Sequence, residues 1–290
     1  MKEQDWDRRS VLKTVAGGAA ASMALPYLSA AEVQTAKGRG NINHSVCKWC
    51  YDRKLSLDEL AAGAAKIGLK SVELIGPEEF AVVRKYGLTC AMTWGIPGIP
   101  DNLNRLENHD RCEATAKKNI DFAAEAGIPS VIVFSGNRKG MSDEEGLENC
   151  AVGVKRFIGH AEQKNINVAI ELLNSKVNHK DYMCDKTDWG VRLVKKVGSP
   201  RFKLLYDIYH MQIMEGDVIR TIRENKDYFV HYHTGGNPGR NEIDETQELN
   251  YAAISKAILD TGYTGFIGQE FIPTRDPLTS LAQAFRICDV

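Results

Sequence analysis

Eight short apolar runs of strand length recur beyond residue 40, with helical patterns between them, and this alternation restricts the fold more than any other feature. The runs are INHSVCKW (42–49), KSVELIG (70–76), LTCAMTWG (88–95), PSVIVFSG (129–136), NVAIELLN (167–174), FKLLYDIYH (202–210), YFVHYHTG (228–235) and GFIGQEFIP (265–273). SLDELAAGAAKIG opens with Ser56 and Glu59 at capping-box spacing. ENHDRCEATAKKNIDFAAEAG stops on Gly127, a helix-end signal. Further helices are expected over 144–164, 186–197, 214–225, 250–261 and 277–288. Read as repeating units, this is eight strands with helical patterns between them. Continuous apolar strands joined by helices imply a parallel sheet covered on both faces. Eight such units favour an α/β fold closed into a (β/α)8 TIM barrel, a single domain over 41–290. A doubly wound open sheet is the competing architecture. It needs a glycine-rich loop after the first strand, and CKWCYDRKL has no glycine.

Residues 1–31 fall outside this count, and 32–40 read as a linker. Arg8 and Arg9 precede an uncharged, Ala/Gly-rich run that ends near Ser29–Ala31. This resembles a twin-arginine export signal with a small-residue cleavage site, and it implies a periplasmic location. The other reading is an uncleaved anchor helix. The Ala/Gly content and Pro26 make it a poor membrane anchor, so no stable span is expected after processing. Seven cysteines leave at least one unpaired within a monomer. Cys47 and Cys50 have redox-motif spacing, but no thioredoxin-like helix start follows them. The formal net charge of -1 argues against a nucleic-acid partner.

In a (β/α)8 barrel, function sits at the C-terminal ends of the strands. Strand five ends with Glu171, strand six with Asp207, strand seven with His231 and His233, and strand eight with Glu270. Any one of these has an ordinary explanation. A strand-end Asp is commonly a helix N-cap, and a buried Glu is commonly half of an ion pair. Four ligand types on four consecutive strands point instead to a shared cation. Oxygen-rich ligation with one imidazole suits manganese, magnesium or cobalt, and zinc is also accommodated. Arg240, on a Pro/Gly-containing loop, is placed to fork a hydroxyl or carboxylate. Trp49 and Trp94 are candidates to stack on a sugar ring. His231, His179 and His44 are candidate pocket residues, and Glu73 reads as a structural group with a buried polar partner.

The order Glu171, DIYH (207–210), HYHTGGNPGRNEID (231–244) and Glu270 is similar to the xylose-isomerase-like TIM-barrel superfamily. The branch it most resembles holds hydroxypyruvate isomerase and related sugar isomerases. The resemblance implies that Glu171, Asp207, His233 and Glu270 hold a divalent metal. It implies that Glu171 and Glu270 are also the acid/base pair, and that His210 and Arg240 bind substrate oxygens. Two departures leave the substrate open. The 3-epimerase branch has a carboxylate where this chain has Val177, and typical hydroxypyruvate isomerases have Gln where it has His233.

The expected activity is isomerisation of a sugar or keto acid by proton abstraction next to a carbonyl, through a cis-enediolate. A ketose 3-epimerase, a keto-sugar lyase or hydratase, and a non-catalytic sugar-binding barrel are the alternatives. A trinuclear endonuclease needs histidines at the ends of strands two to four, and ELIG, AMTWG and VFSG have none. The expected partner is a small sugar or keto-sugar, with a homo-oligomer left open.

Overall fold

The computed structural model describes residues 38–290, so the segment read as an export signal, and the linker up to residue 37, lie outside the described residues. The strands are β1 (Asn43–Cys47), β2 (Ser71–Glu73), β3 (Thr93–Trp94), β4 (Ser130–Val133), β5 (Asn167–Leu172), β6 (Phe202–Asp207), β7 (Phe229–Thr234) and β8 (Phe266–Gln269). Every neighbouring pair is parallel, in the order β2-β1-β8-β7-β6-β5-β4-β3. Residues just ahead of β3 close the remaining seam. Thr89 N donates to Lys70 O at 3.0 Å, Val72 N to Thr89 O at 3.2 Å, and Leu74 N to Met92 O at 2.9 Å. The result is a TIM barrel in a single domain. Its strands are buried on both faces, as in β5, where Val168, Ala169 and Ile170 have no exposure.

The helices are α1 (Leu57–Ile67), α2 (Phe80–Lys85), α3 (His109–Ala126), α4 (Asp143–Lys155), α5 (Ile158–Lys164), α6 (Thr187–Val197), α7 (Ile208–Met214), α8 (Val218–Asn225), α9 (Tyr251–Asp260) and α10 (Pro277–Cys288). The capping box forms as read: Ser56 N donates to Glu59 Oε2 at 2.8 Å and Glu59 N to Ser56 Oγ at 3.3 Å. Gly127 ends α3 with φ 72°, in the left-handed region.

Two expected helices are interrupted. The 144–164 pattern breaks at Phe157, which leaves helical backbone (φ −129°) and buries its ring completely. The sixth run was expected to stay extended to residue 210. Instead the strand ends at Asp207, and α7 starts at Ile208 because Asp207 caps it. A second break follows at Gly216 and Asp217, with φ 67° and 43°, so α7 and α8 are separate.

Candidate active site

Strand register assembles the cluster. Glu171 pairs with Leu205, so Asp207 stands two residues further along β6 on the same face. Asp207 pairs with His233, His233 pairs with Gly268, and Glu270 follows two residues beyond Gly268. One ligand atom from each of Glu171, Asp207, His233 and Glu270 lies within 4.8 Å of the others, and all four residues are buried. Asp207 serves in two ways. Its Oδ1 accepts the His210 N–H at 3.1 Å and caps α7, while its Oδ2 accepts Arg240 Nη2 at 2.9 Å. The one carboxylate thus supplies both a helix cap and an oxygen that faces the cluster.

The donor set fits a divalent cation. Glu171 Oε1 is buried without a hydrogen-bond partner among the described residues, 3.7 Å from His233 Nδ1, which itself faces Glu270 Oε2 at 2.7 Å. Leaving such a carboxylate oxygen unpaired is costly unless something else binds it. The charges are also unbalanced. Burial pushes Asp207 well up and Glu171 up from the usual carboxylate range, and neighbouring carboxylates add to both shifts. Burial would raise Glu270 too, but Arg240 and His233 hold it well below the usual range. The chain itself brings positive charge in His233, which burial would lower but Cys47 and Glu270 raise well above its usual value, and in Arg240. Its Nη2 also donates to Glu270 Oε2 at 2.5 Å, and its guanidinium lies between the rings of Trp49 (5.3 Å) and Tyr209 (5.2 Å).

Beneath the cluster lies a second buried layer. Glu73 Oε1 accepts His231 Nε2 at 2.9 Å and His233 Nε2 at 2.7 Å, and Glu73 has no exposure. Those two bonds hold the carboxyl below its usual range although burial opposes them. With its Nε2–H given to Glu73, His233 turns Nδ1 toward the cluster. Gly268 makes room for this arrangement: a Cβ there would stand 2.7 Å from Glu73 Oε1 and 2.8 Å from His233 Cδ2. The buried partner expected for Glu73 is therefore the histidine pair. His231 was expected beside the substrate. It faces Glu73 instead and does not line the cavity, because strand alternation puts it one layer deeper than His233. His44 is likewise displaced from the mouth. It sits near the start of β1, packed on Phe285 and 3.9 Å from Asp289 at the opposite end of the barrel. Cys47 and Cys50 are buried and free, and burial raises both thiols far above their ordinary range.

A cavity of about 890 Å³ opens over the cluster. Glu171, Glu270, His210 and Arg240 line its charged side, with His179 beside them and Trp49 and Trp94 at its walls. Trp49 Nε1 donates to Glu270 Oε1 at 2.7 Å. Burial and Arg240 push His210 well below its usual value, so its ring is neutral. Its Nδ1 faces Asn174 Nδ2 at 2.6 Å and its Nε2 faces Arg240 Nη1 at 2.7 Å. Asn174 is fixed in this orientation because its Oδ1 accepts Val177 N and Asn178 N. A neutral imidazole accepts at one nitrogen only, so one of these contacts sets donor against donor. Tyr209, Asn174, Asn178 and Lys180 belong to the site and escaped the sequence reading. Only the position of Asn174, last in the fifth apolar run, hinted at a role. Val177 is 60% exposed and does not line the cavity, although Asn178, His179 and Lys180 after it do.

The family model described as xylose isomerase-like TIM barrel matches residues 61–288. A Homo sapiens protein named "Putative hydroxypyruvate isomerase" is 32% identical over 250 residues, 81% of this chain and 90% of the relative. The 2-oxo-tetronate isomerase of Cupriavidus necator is 29% identical over 239 residues, covering 77% and 89%. Among solved structures, an AP endonuclease, family 2, from Brucella melitensis has a TM-score of 0.74 at 22% identity, covering 83% and 98%. A D-psicose 3-epimerase determined in the presence of D-fructose has a TM-score of 0.66 at 19% identity, covering 84% and 90%. At such identities the two structures speak for the fold alone. The family match over most of the barrel, with the human relative across its length, places this chain in the xylose isomerase-like TIM-barrel family.

Proposed function

We propose that this chain is a metal-dependent isomerase of a sugar or keto acid that moves a proton between carbons next to a carbonyl. The observation that carries the proposal is the placement of Glu171 and Glu270. They come from β5 and from the residue after β8, line one cavity, and flank one four-ligand cluster. The relatives named as isomerases support the reaction class. Glu171, Asp207, His233 and Glu270 would hold the cation, which when bound supplies Lewis acidity to the substrate oxygens.

The rest is the work of side chains. Arg240 and His233 keep Glu270 ionised, which suits it to take a proton. Glu171, the other carboxylate lining the cavity, stands across the same cluster and is placed to receive or return the proton. Arg240 and neutral His210 orient substrate hydroxyls, and Trp49 fixes the Glu270 carboxylate by its indole N–H. Return of the proton to the neighbouring carbon gives isomerisation, and return to the same carbon from the opposite face gives epimerisation. Carboxylates on both sides of the cluster keep the epimerase reading alive as a second one.

Solvent deuterium incorporation into a keto-sugar, followed by NMR, tests the reading. Glu171→Gln and Glu270→Gln should each slow exchange by roughly 10²–10⁴-fold, the contribution of a general base. Undiminished exchange in both variants would move the base elsewhere, and an inverted carbon would select the epimerase. Export of the chain by residues 1–31 is also proposed, on the Arg8–Arg9 pair and the uncharged run after it. Fractionation of cells expressing the full chain and an Arg8→Lys/Arg9→Lys variant tests that.

A further inference from the structure

We propose that the substrate is a keto-sugar that carries a second ring, rather than a three- or four-carbon keto acid; this rests on the proton-transfer reading above. The cavity of about 890 Å³ is at the upper end of the range that encloses drug-sized ligands. It would hold on the order of thirty waters. A small keto acid with fewer than ten non-hydrogen atoms would leave most of it wet.

The lining is divided by chemistry. The β5–β8 side carries the carboxylates, His210 and Arg240. The β2–β4 side presents Leu74, Trp94, Ile99, Phe122 and Phe134. Polar groups on that side are largely committed: Thr93 Oγ1 donates to Ile75 O at 2.7 Å, and Asn119 Nδ2 donates to Gly95 O at 3.0 Å. Asn137 remains at the edge to meet a hydroxyl. Such a wall recognises the C–H face of a sugar or the face of an aromatic ring.

Charge points the same way. The cations bordering the cavity are Arg240 and Lys180. Arg240 is bound to Asp207 and Glu270, and Lys180 is exposed at the rim. Once a divalent cation joins Arg240, the three carboxylates of the floor are balanced. Among the described residues, the exposed Lys180 is then the one cation at the cavity not already paired with a carboxylate, a weak partner for a substrate carboxylate. A neutral sugar at the floor, with its second ring on the apolar wall, satisfies both halves.

The test uses the full-length, manganese-loaded protein and four probes: a phenyl keto-glucoside, a keto-disaccharide, the free keto-sugar and hydroxypyruvate. Dissociation constants come from saturation-transfer NMR, and deuterium incorporation is followed in the same samples. Both two-ring probes should bind at least tenfold tighter than the free keto-sugar; tight binding of one alone assigns the second ring to that source, aromatic or sugar. Ile99→Asn, on the half-buried rim, should shrink this preference about tenfold, and Phe122→Ser provides an independent second variant. Binding of the free keto-sugar or hydroxypyruvate as tight as that of the two-ring probes overturns the inference, as does a preference unchanged in both variants. Exchange into the small probes alone overturns it and leaves the proton-transfer reading standing. Tight two-ring binding without exchange into any probe supports it and removes that reading.

Discussion

Glu73→Gln isolates what holds His233, the proposed metal-ligand histidine, in place. One oxygen of a fully buried carboxylate accepts both imidazole N–H groups, at 2.9 Å from His231 and 2.7 Å from His233. Glutamine keeps the volume and one acceptor oxygen, but it removes the charge. Its NH2 also introduces a donor where two donors already converge. Loss of such an outer partner costs about 10–100-fold in metal affinity, or roughly 1.4–2.8 kcal/mol. The upper part of that range is expected, because both bonds end on the same buried oxygen. The assay is calorimetric titration of manganese into chelator-stripped protein, with far-ultraviolet circular dichroism to show an intact barrel. Glu73→Asp, which keeps the charge on a shorter arm, should recover part of the loss. A dissociation constant for Glu73→Gln within about threefold of the parent, well below the range expected for an outer partner, would mean that β7 alone orients His233 and that Glu73 has no part in it.

Three further outcomes are expected. Asp207→Asn keeps an oxygen for the α7 cap but loses the charge, so cation affinity should fall tenfold or more; Asp207→Ala should cost about 1 kcal/mol of stability in addition, the worth of an N-cap. Unchanged affinity in Asp207→Asn would reduce Asp207 to a cap. His44 is buried neutral, its pKa lowered to about 4 by burial, with Asp289 partly opposing the shift. The unfolded chain therefore takes up this proton first as pH falls from about 6.5, and stability drops between pH 6.5 and 4 by up to about 3 kcal/mol. Urea melts of the parent and His44→Leu at pH 7 and pH 4.5 should show a smaller acid loss in the variant; equal losses would refute the assignment. A chain beginning at residue 36 should give the circular dichroism of the full chain, because the barrel strands start at Asn43; an unfolded spectrum would refute that.

The barrel was legible because each strand is buried on both faces and therefore reads as an unbroken apolar run. Ligand types at matching strand ends then located the cluster. Less legible were features that depend on a neighbour in space. Nothing near Asp207 in the sequence says that one oxygen caps α7 while the other faces a guanidinium 33 residues away. Alternation puts His231 and His233 on one side, but depth along the strand decides that only His233 reaches the cluster. The breaks at Phe157 and Gly216 arise from packing and backbone freedom that helical periodicity averages out. Tyr209 reads in the sequence as part of an apolar run, yet its ring lies against the Arg240 guanidinium.

Arg240 bears on the order of events in the life of the molecule. Asp207 and Glu270 already share a positive charge that is part of the polypeptide, so the barrel can finish folding before any inorganic cofactor arrives. The proposed cation would have to share these carboxylates with the tethered guanidinium, so the same arginine that steadies the site before loading would also bear on how readily it is filled.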